Sequence, residues 1–186
     1  MTHEMSGSVF LQQVFGVMFS ILKAGGSYYI FHADSEGENF RAALRKSGFK
    51  IAQCCIWVKN SMVMGRQDYQ WQHEPCLYGW KPGAAHFWNS DRKQTTVWHF
   101  DKPQRSAIHP TMKPIPLMAY PIRNSSLPGQ IVADFFSGSA STLMACQQID
   151  RICYAMDIDR KYVAASVKRY KNMFPAQPVL LLRDGT

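Results

Sequence analysis

The sequence has no apolar run that could cross a membrane. Its longest apolar stretch, from Ile51 to Val58, is interrupted at Gln53 and falls well short of the roughly 18 residues that a span requires. The amino terminus also lacks a basic run followed by an apolar segment, so no secretory signal is recognisable. Together these absences predict a cytoplasmic protein that has no membrane partner.

Cysteine and histidine occur in no pattern typical of disulfides or metal sites. The five cysteines form no C-x-x-C pair, and their number is odd. His73 precedes Glu74, but no second histidine follows four residues later, which argues against a zinc-binding helix. We therefore expect reduced thiols, no metal, and a hydrogen-bonded structural role for the His73 and Glu74 pair.

The charged residues are unbalanced in sign. The chain has 21 Lys and Arg against 13 Asp and Glu, a formal net charge of +8. A surplus of this sign attracts polyanions such as nucleic acids. It is concentrated between Lys81 and Lys113, where the acidic residues are Asp91 and Asp101. A solvated loop is the alternative interpretation of this stretch.

Hydrophobic periodicity predicts alternating strands and helices on both sides of a polar middle segment. Such alternation is typical of an α/β fold with a doubly wound, mostly parallel sheet and helices on both faces. The length favours a single domain over 1–186, and the polar composition of 60–110 predicts a loop region there, to which the family resemblance described below gives a target-recognition role. The predicted elements are helices over 10–22, 36–47, 114–126, 141 onward and 161–173, and strands over 27–32, 49–58, 130–136 and 151–156.

A small-residue turn links the strand that contains Asp134 to the helix that begins near Thr142, and Asp157 ends the next strand. Open parallel sheets bind nucleotides at such turns, because the backbone can approach the ligand while an acidic residue accepts ribose hydroxyls. The absence of G-x-G-x-x-G argues against a pyrophosphate-binding dehydrogenase. An ordinary strand-to-helix turn is the alternative.

Seven segments and one single residue of the sequence belong together: Gly25 to Asp34, Ile56 to Asn60, Tyr69 to Pro75, Tyr78 to Gly83, His109 to Pro114, Asn124 to Gly129, Asp134 to Thr142, and Asp157. Together they resemble the DNA amino-methyltransferases, which methylate adenine N6 or cytosine N4, and the late position of the cofactor turn resembles their beta class. The resemblance covers nearly the whole chain and implies a Rossmann-like methyltransferase fold, incomplete at its amino terminus. It implies methyl transfer from S-adenosylmethionine to DNA, with adenine N6 favoured over cytosine N4.

The resemblance also implies two sets of binding residues. S-adenosylmethionine would be held by Thr111, Lys113, Asp134, Phe135, Phe136, Ser137, Gly138, Ser139, Ser141 and Asp157. Double-stranded DNA would be contacted by Lys59, Asn60, Arg66, Gln67, Gln70, Arg92, Lys93 and Arg105.

The catalytic Asp/Asn/Ser-Pro-Pro-aromatic tetrad of the family has no counterpart in this sequence. None of the ten prolines is adjacent to another. The resemblance places the tetrad before the Val9 to Lys23 helix, so the catalytic residues are unknown and we expect no activity from this chain alone. A homodimer or a complementing amino-terminal fragment is the further partner expected. Two rival hypotheses are a methyltransferase-like module that binds DNA or a partner without chemistry, and an unrelated nucleotide-dependent enzyme.

Three departures from the family pattern predict weak cofactor binding. Ser137 and Ala140 replace glycines, and each added Cβ can clash with a ligand or disfavour a positive φ. Pro121 falls inside a predicted helix, at a cost of roughly 3 kcal/mol unless the helix kinks. Asp157 is one methylene shorter than the glutamate usual in the family.

Overall fold

The computed structural model describes residues 7–102, 112–180 and 182. These residues divide into two compact units, of which the first contains residues 7–102 and 124–126. The second contains the described residues of 112–123 and 127–182. The prediction of a single domain over 1–186 remains a prediction. None of the described helices is long and apolar enough to cross a membrane.

The first unit is a four-stranded sheet with two helices. Its strand order is β1-β3-β2-β4, with β3 antiparallel to both β1 and β2, and β4 parallel to β2. Its elements are α1 (Gly7–Ile21), β1 (Ser27–Phe31), a short 3-10 helix (Asp34–Glu36), α2 (Gly37–Lys46), β2 (Lys50–Val63), β3 (Trp71–Trp80) and β4 (Val97–His99).

The middle of the chain differs from its sequence-based prediction. Residues 60–110 are predicted as loops, but the described part of this range contains the end of β2, all of β3, and β4. The short connection from β2 to β3 makes these strands antiparallel neighbours, because such a link can only reverse the chain. The α/β class is confirmed, but the sheet of this unit is mixed rather than mostly parallel.

The core of the first unit lies between the helices and the sheet. Phe15 of α1 and Leu44 of α2 are buried together with Tyr28 and Leu77 of the sheet. Gly79 is required in β3, because a Cβ there would lie 1.9 Å from the Lys50 carbonyl oxygen. The Tyr28 hydroxyl, which donates to that same oxygen at 3.1 Å, also occupies the space beside Gly79.

The second unit contains a parallel strand pair. Strands β5 and β6 pair in register from Ile131 opposite Ile152 to Asp134 opposite Ala155. Pro121 lies inside α3, which nevertheless continues to Ser125. Ala119 and Ile122 of α3 pack with Cys146 of α4 in the core. The elements are α3 (Ile115–Ser125, with 115–123 in this unit), β5 (Ile131–Asp134), α4 (Ser141–Gln148), β6 (Ile152–Ala155) and α5 (Arg160–Met173).

Candidate cofactor and nucleic-acid sites

The carboxyl ends of β5 and β6 lie side by side, and backbone hydrogen bonds connect the segments that follow the two strands. The Met156 N–H donates to the Asp134 carbonyl at 2.9 Å, and the Ser137 N–H donates to the Met156 carbonyl at 3.0 Å. Parallel sheets bind nucleotides outside these carboxyl ends. The predicted cofactor turn, residues 135–140, is therefore in a suitable position, and we call it the β5–α4 loop.

Asp157 links the end of β6 to the β5–α4 loop. Its Oδ2 accepts the Gly138 N–H at 2.8 Å, and its Oδ1 accepts the Asp159 N–H at 2.9 Å. Each carboxylate oxygen has two lone pairs, so each retains acceptor capacity for a ligand hydroxyl. Asp134 is also engaged with the loop, since its Oδ1 accepts the Phe136 N–H at 3.1 Å.

The loop backbone adopts left-handed conformations at two positions. Gly138 has φ of 48°, and Ala140 has φ of 59° and ψ of 33°. The Ala140 side chain is fully buried, and this conformation costs an alanine about 1 to 2 kcal/mol. A positive φ, one of the two grounds for the prediction of weak binding, is thus present at Ala140, whereas Ser137 is not among the positive-φ residues and only a clash with the ligand remains as a ground there.

Serine hydroxyls connect the loop to the segment before α3. The Ser141 Oγ donates to the Lys113 carbonyl at 2.7 Å, and the Ser139 Oγ lies 3.4 Å from the Ser141 Oγ. These contacts connect the backbone at Lys113 to the start of α4. Phe136 of the same loop exposes 59% of its surface. Thr111 lies outside the described residues. The structure brings together the other predicted cofactor residues that it describes: Lys113, Asp134, Phe135, Phe136, Ser137, Gly138, Ser139, Ser141 and Asp157.

Two residues of α5 that contact the loop are absent from the sequence-based prediction. The Ser166 Oγ donates to the Gly138 carbonyl at 2.9 Å, and Arg169 donates to the Ser139 carbonyl at 2.5 Å. Burial lowers the pKa of the Arg169 guanidinium. The sequence offers no signal for this role, because a basic residue in a basic helix is typical of a solvent-facing position.

The predicted DNA contacts differ in how accessible they are. Arg66, Arg92 and Lys93 are exposed. Lys59 exposes only 12% of its side chain, forms an ion pair with Glu74 at 3.5 Å, and lies 5.1 Å from the Trp57 ring centroid. A phosphate contact by Lys59 would therefore compete with Glu74. Arg105 lies outside the described residues.

The amide side chains of this set stabilise local backbone. The Asn60 Oδ1 accepts the Lys102 N–H at 2.9 Å. Gln70 spans the turn between β2 and β3: its Oε1 accepts the Gly65 N–H at 2.7 Å, and its Nε2 donates to the Gln67 carbonyl at 2.6 Å. These residues remain predicted DNA contacts, but their amide groups already have partners within the unit.

His73 and Glu74, neighbours in β3, each lie beside a different charged side chain of the first unit. The His73 Nε2 lies 3.9 Å from Asp34 Oδ1, and Glu74 contacts Lys59 as described above. Among the described residues, no group of three or more His, Cys, Asp or Glu side chains could hold a metal ion.

The fold is that of Rossmann-like methyltransferases. The solved M1.HpyAVI–SAM complex superposes with a TM-score of 0.77 at 24% identity, over 89% of this chain and 84% of that chain. The PvuII DNA methyltransferase, described as cytosine-N4-specific, superposes with a TM-score of 0.74 at 16% identity, over 88% of this chain and 70% of that chain.

The sequence identifies the family. Residues 8–168 match the model of the N6 and N4 methyltransferases described as DNA methylase, and the chain belongs to this family. The Type II methyltransferase M.HpaI of Haemophilus parainfluenzae is 30% identical over 178 residues, which cover 84% of this chain and 57% of that protein. The chain spans between 46% and 68% of the length of six curated relatives that it matches.

Proposed function

We propose that this chain binds S-adenosylmethionine at the β5–α4 loop and forms part of an enzyme that methylates the N6 amine of adenine in double-stranded DNA. The observation that supports the proposal is the link between Asp157 and the Gly138 N–H at the carboxyl ends of the parallel pair. The family acts on DNA, and its members methylate N6 or N4 amines.

The residues at this site fit the cofactor chemically. Asp157 has acceptor capacity left for the ribose hydroxyls, and Gly138 has no side chain to hinder close approach. The Ser139 N–H makes no hydrogen bond with any residue that the structure describes, so it is an available donor for an anionic group. When bound, S-adenosylmethionine supplies an electrophilic methyl group on its sulfonium.

The target amine needs help that these residues do not provide. The lone pair of an exocyclic adenine amine is delocalised into the ring, so acceptors must be placed on its protons to make it nucleophilic. The family achieves this with the Pro-Pro-containing tetrad after the base leaves the duplex. Because the sequence has no adjacent prolines, we propose that these 186 residues alone transfer no methyl group.

DNA binding is proposed to depend on the exposed basic residues of the first unit. Arg66, Arg92 and Lys93 are exposed and form no ion pair with any residue that the structure describes, so they can reach phosphates, and Arg105 adds a further positive charge to the sequence. We also propose that the chain acts together with a second copy or with a complementing tetrad-bearing segment.

The second candidate is a module that binds DNA and the cofactor without chemistry, which the missing tetrad favours. A labelled methyl-transfer assay separates the two functions. The first reaction contains the chain alone, and the second contains the chain fused ahead of Thr2 to a strand that carries Asp-Pro-Pro-Tyr. A fusion carrying Asp-Ala-Ala-Tyr is the matched control.

We expect labelled N6-methyladenine only from the Asp-Pro-Pro-Tyr fusion, identified by nucleoside mass. Labelled N4-methylcytosine would instead show that the target base is cytosine rather than adenine. If the fusion binds S-adenosylmethionine but transfers no methyl group, the binding module is the better description. Failure of the chain to bind S-adenosylmethionine by titration calorimetry would overturn the proposal.

A further inference from the structure

Helix α5 contacts the β5–α4 loop through two side chains three residues apart. Ser166 and Arg169 share one face of the helix, since residues at this spacing are neighbours on a helical surface. The Ser166 Oγ donates to the Gly138 carbonyl, and an Arg169 Nη donates to the Ser139 carbonyl. Two consecutive loop carbonyls are therefore turned toward α5.

The direction of each of these carbonyls fixes the direction of the backbone N–H that follows it. The described peptide bonds are all trans, so a carbonyl and the N–H of the next residue point in opposite directions. Because Ser166 holds the Gly138 carbonyl toward α5, the Ser139 N–H is directed away from α5. This is the N–H without a hydrogen bond to any described residue.

Arg169 extends the same connection to the start of α4. Its Nη1 lies 3.2 Å from the Ser141 Oγ, which in turn donates to the Lys113 carbonyl. Its guanidinium is partly buried, and a guanidinium remains charged in proteins. Desolvating a charge is unfavourable unless hydrogen bonds compensate. The loop carbonyl and the serine hydroxyl supply that compensation, so the cation and the loop conformation depend on each other.

We propose that Arg169, assisted by Ser166, is a positioning residue that fixes the β5–α4 loop so that the Ser139 N–H faces the cofactor. The inference rests on the proposed function, because it assumes that S-adenosylmethionine binds at this loop. Arg169 acts on the ligand through the loop backbone.

The test compares Arg169→Gln and Arg169→Lys with the matched control Tyr170→Phe in the full chain. The Tyr170 hydroxyl donates to the Gln147 Oε1 at 2.6 Å, so the control removes a contact between α5 and α4 that does not involve the loop. Titration with S-adenosylmethionine should show an affinity roughly ten-fold lower for Arg169→Gln, because a charge-assisted hydrogen bond is lost. Tyr170→Phe should bind like the unmodified chain, and Arg169→Lys should recover part of the loss.

A second readout separates positioning from general stability. Amide resonances of Ser139 and Ala140 in the ligand-free chain should shift in Arg169→Gln and remain in place in Tyr170→Phe, even if both variants unfold at lower temperature. If Arg169→Gln does not fold, Ser166→Ala replaces it, with an expected loss of roughly three-fold and the same resonance shifts.

The outcomes for this inference and for the proposed function are distinct. Equal affinity for the unmodified chain and the folded Arg169→Gln variant would overturn the role of Arg169 and leave the proposed function in place. A parallel loss in Tyr170→Phe would also overturn it, since the effect would then follow from helix docking. No binding by the unmodified chain would overturn both.

Discussion

The β5–α4 loop and the turn between β2 and β3 are both short connections that follow a strand, yet they are stabilised in different ways. The loop is bonded to Asp157, Ser166 and Arg169, and its Ala140 is fully buried. In the β2–β3 turn, Gln70 is the one side chain among the described residues that bonds to the turn backbone, and Tyr69 exposes 92% of its surface.

This difference corresponds to the two kinds of ligand proposed. A small cofactor is recognised through a few donors and acceptors, so a fixed backbone favours binding. A duplex is attracted over a longer range by charge, and mobile surface side chains can reach phosphates at many positions. We therefore expect variants of the loop to alter affinity for the cofactor, and variants of the basic surface to alter salt dependence.

The largest effect is expected from the basic surface. Replacing Arg92, Lys93 and Arg105 with glutamine should lower affinity for duplex DNA roughly a hundred-fold near 0.1 M salt. Each lost phosphate contact should also reduce the steepness of the plot of log affinity against log salt concentration by about 0.9. Fluorescence anisotropy over a salt series measures both quantities. The control replaces Arg160, Lys168 and Lys171, exposed basic residues of α5, and removes the same charge. Equal losses in both triple variants would show that only net charge matters.

The next effect concerns the acidic contact of the loop. Asp157→Ala should weaken binding of S-adenosylmethionine by about thirty-fold, because it removes roughly 2 kcal/mol of hydrogen bonding to the Gly138 N–H and to the ligand. Asp159→Ala is the control, since Asp159 caps α5 by accepting the Lys161 N–H at 2.8 Å. The control should lower the free energy of unfolding by about 1 kcal/mol without changing affinity. Unchanged affinity in Asp157→Ala would contradict the proposed site.

Sequence reasoning placed Asp134 and Asp157 beside the β5–α4 loop but missed the contact of Arg169 with that loop. The distance along the chain between Asp134 and Asp157 predicts that both lie at one edge of the sheet, because consecutive parallel strands end at the same edge. Arg169 could not be predicted in this way, since its contacts are with backbone carbonyls whose direction depends on the folded loop. Sequence reasoning also did not predict strand β3, because Pro75 and Gly79 are residue types disfavoured in a central strand. Tertiary packing overrides that preference: Pro75 is buried opposite Ile56 of β2, where its carbonyl accepts the His32 N–H, and Gly79 makes room for Tyr28.

A smaller effect should distinguish the two glycine replacements within the loop. Ala140→Gly relieves about 1 to 2 kcal/mol of left-handed strain but loses a buried methyl group worth about 0.8 kcal/mol and adds backbone freedom, so the free energy of unfolding should stay nearly unchanged. Ser137→Gly relieves no strain and should cost about 0.5 to 1 kcal/mol. Urea denaturation of both variants measures the difference. If Ser137→Gly is the more stable of the two, the backbone conformation assigned to this loop is wrong.

The smallest effect is expected at the β2–β3 turn. Gln70→Ala removes the acceptor for the Gly65 N–H, so hydrogen exchange of the Gly65 amide should accelerate roughly 2- to 10-fold while the free energy of global unfolding stays the same. Gln72→Ala is the control, because the Gln72 Nε2 donates to the Lys59 carbonyl at 3.0 Å and does not contact the turn. Exchange is followed by NMR. An equal acceleration in both variants would mean that the strand end frays as a whole, whereas none in either would show that the turn is held by its backbone alone. Either result would mean that the number of side chains bonded to each connection does not explain why the β5–α4 loop and the β2–β3 turn are stabilised differently.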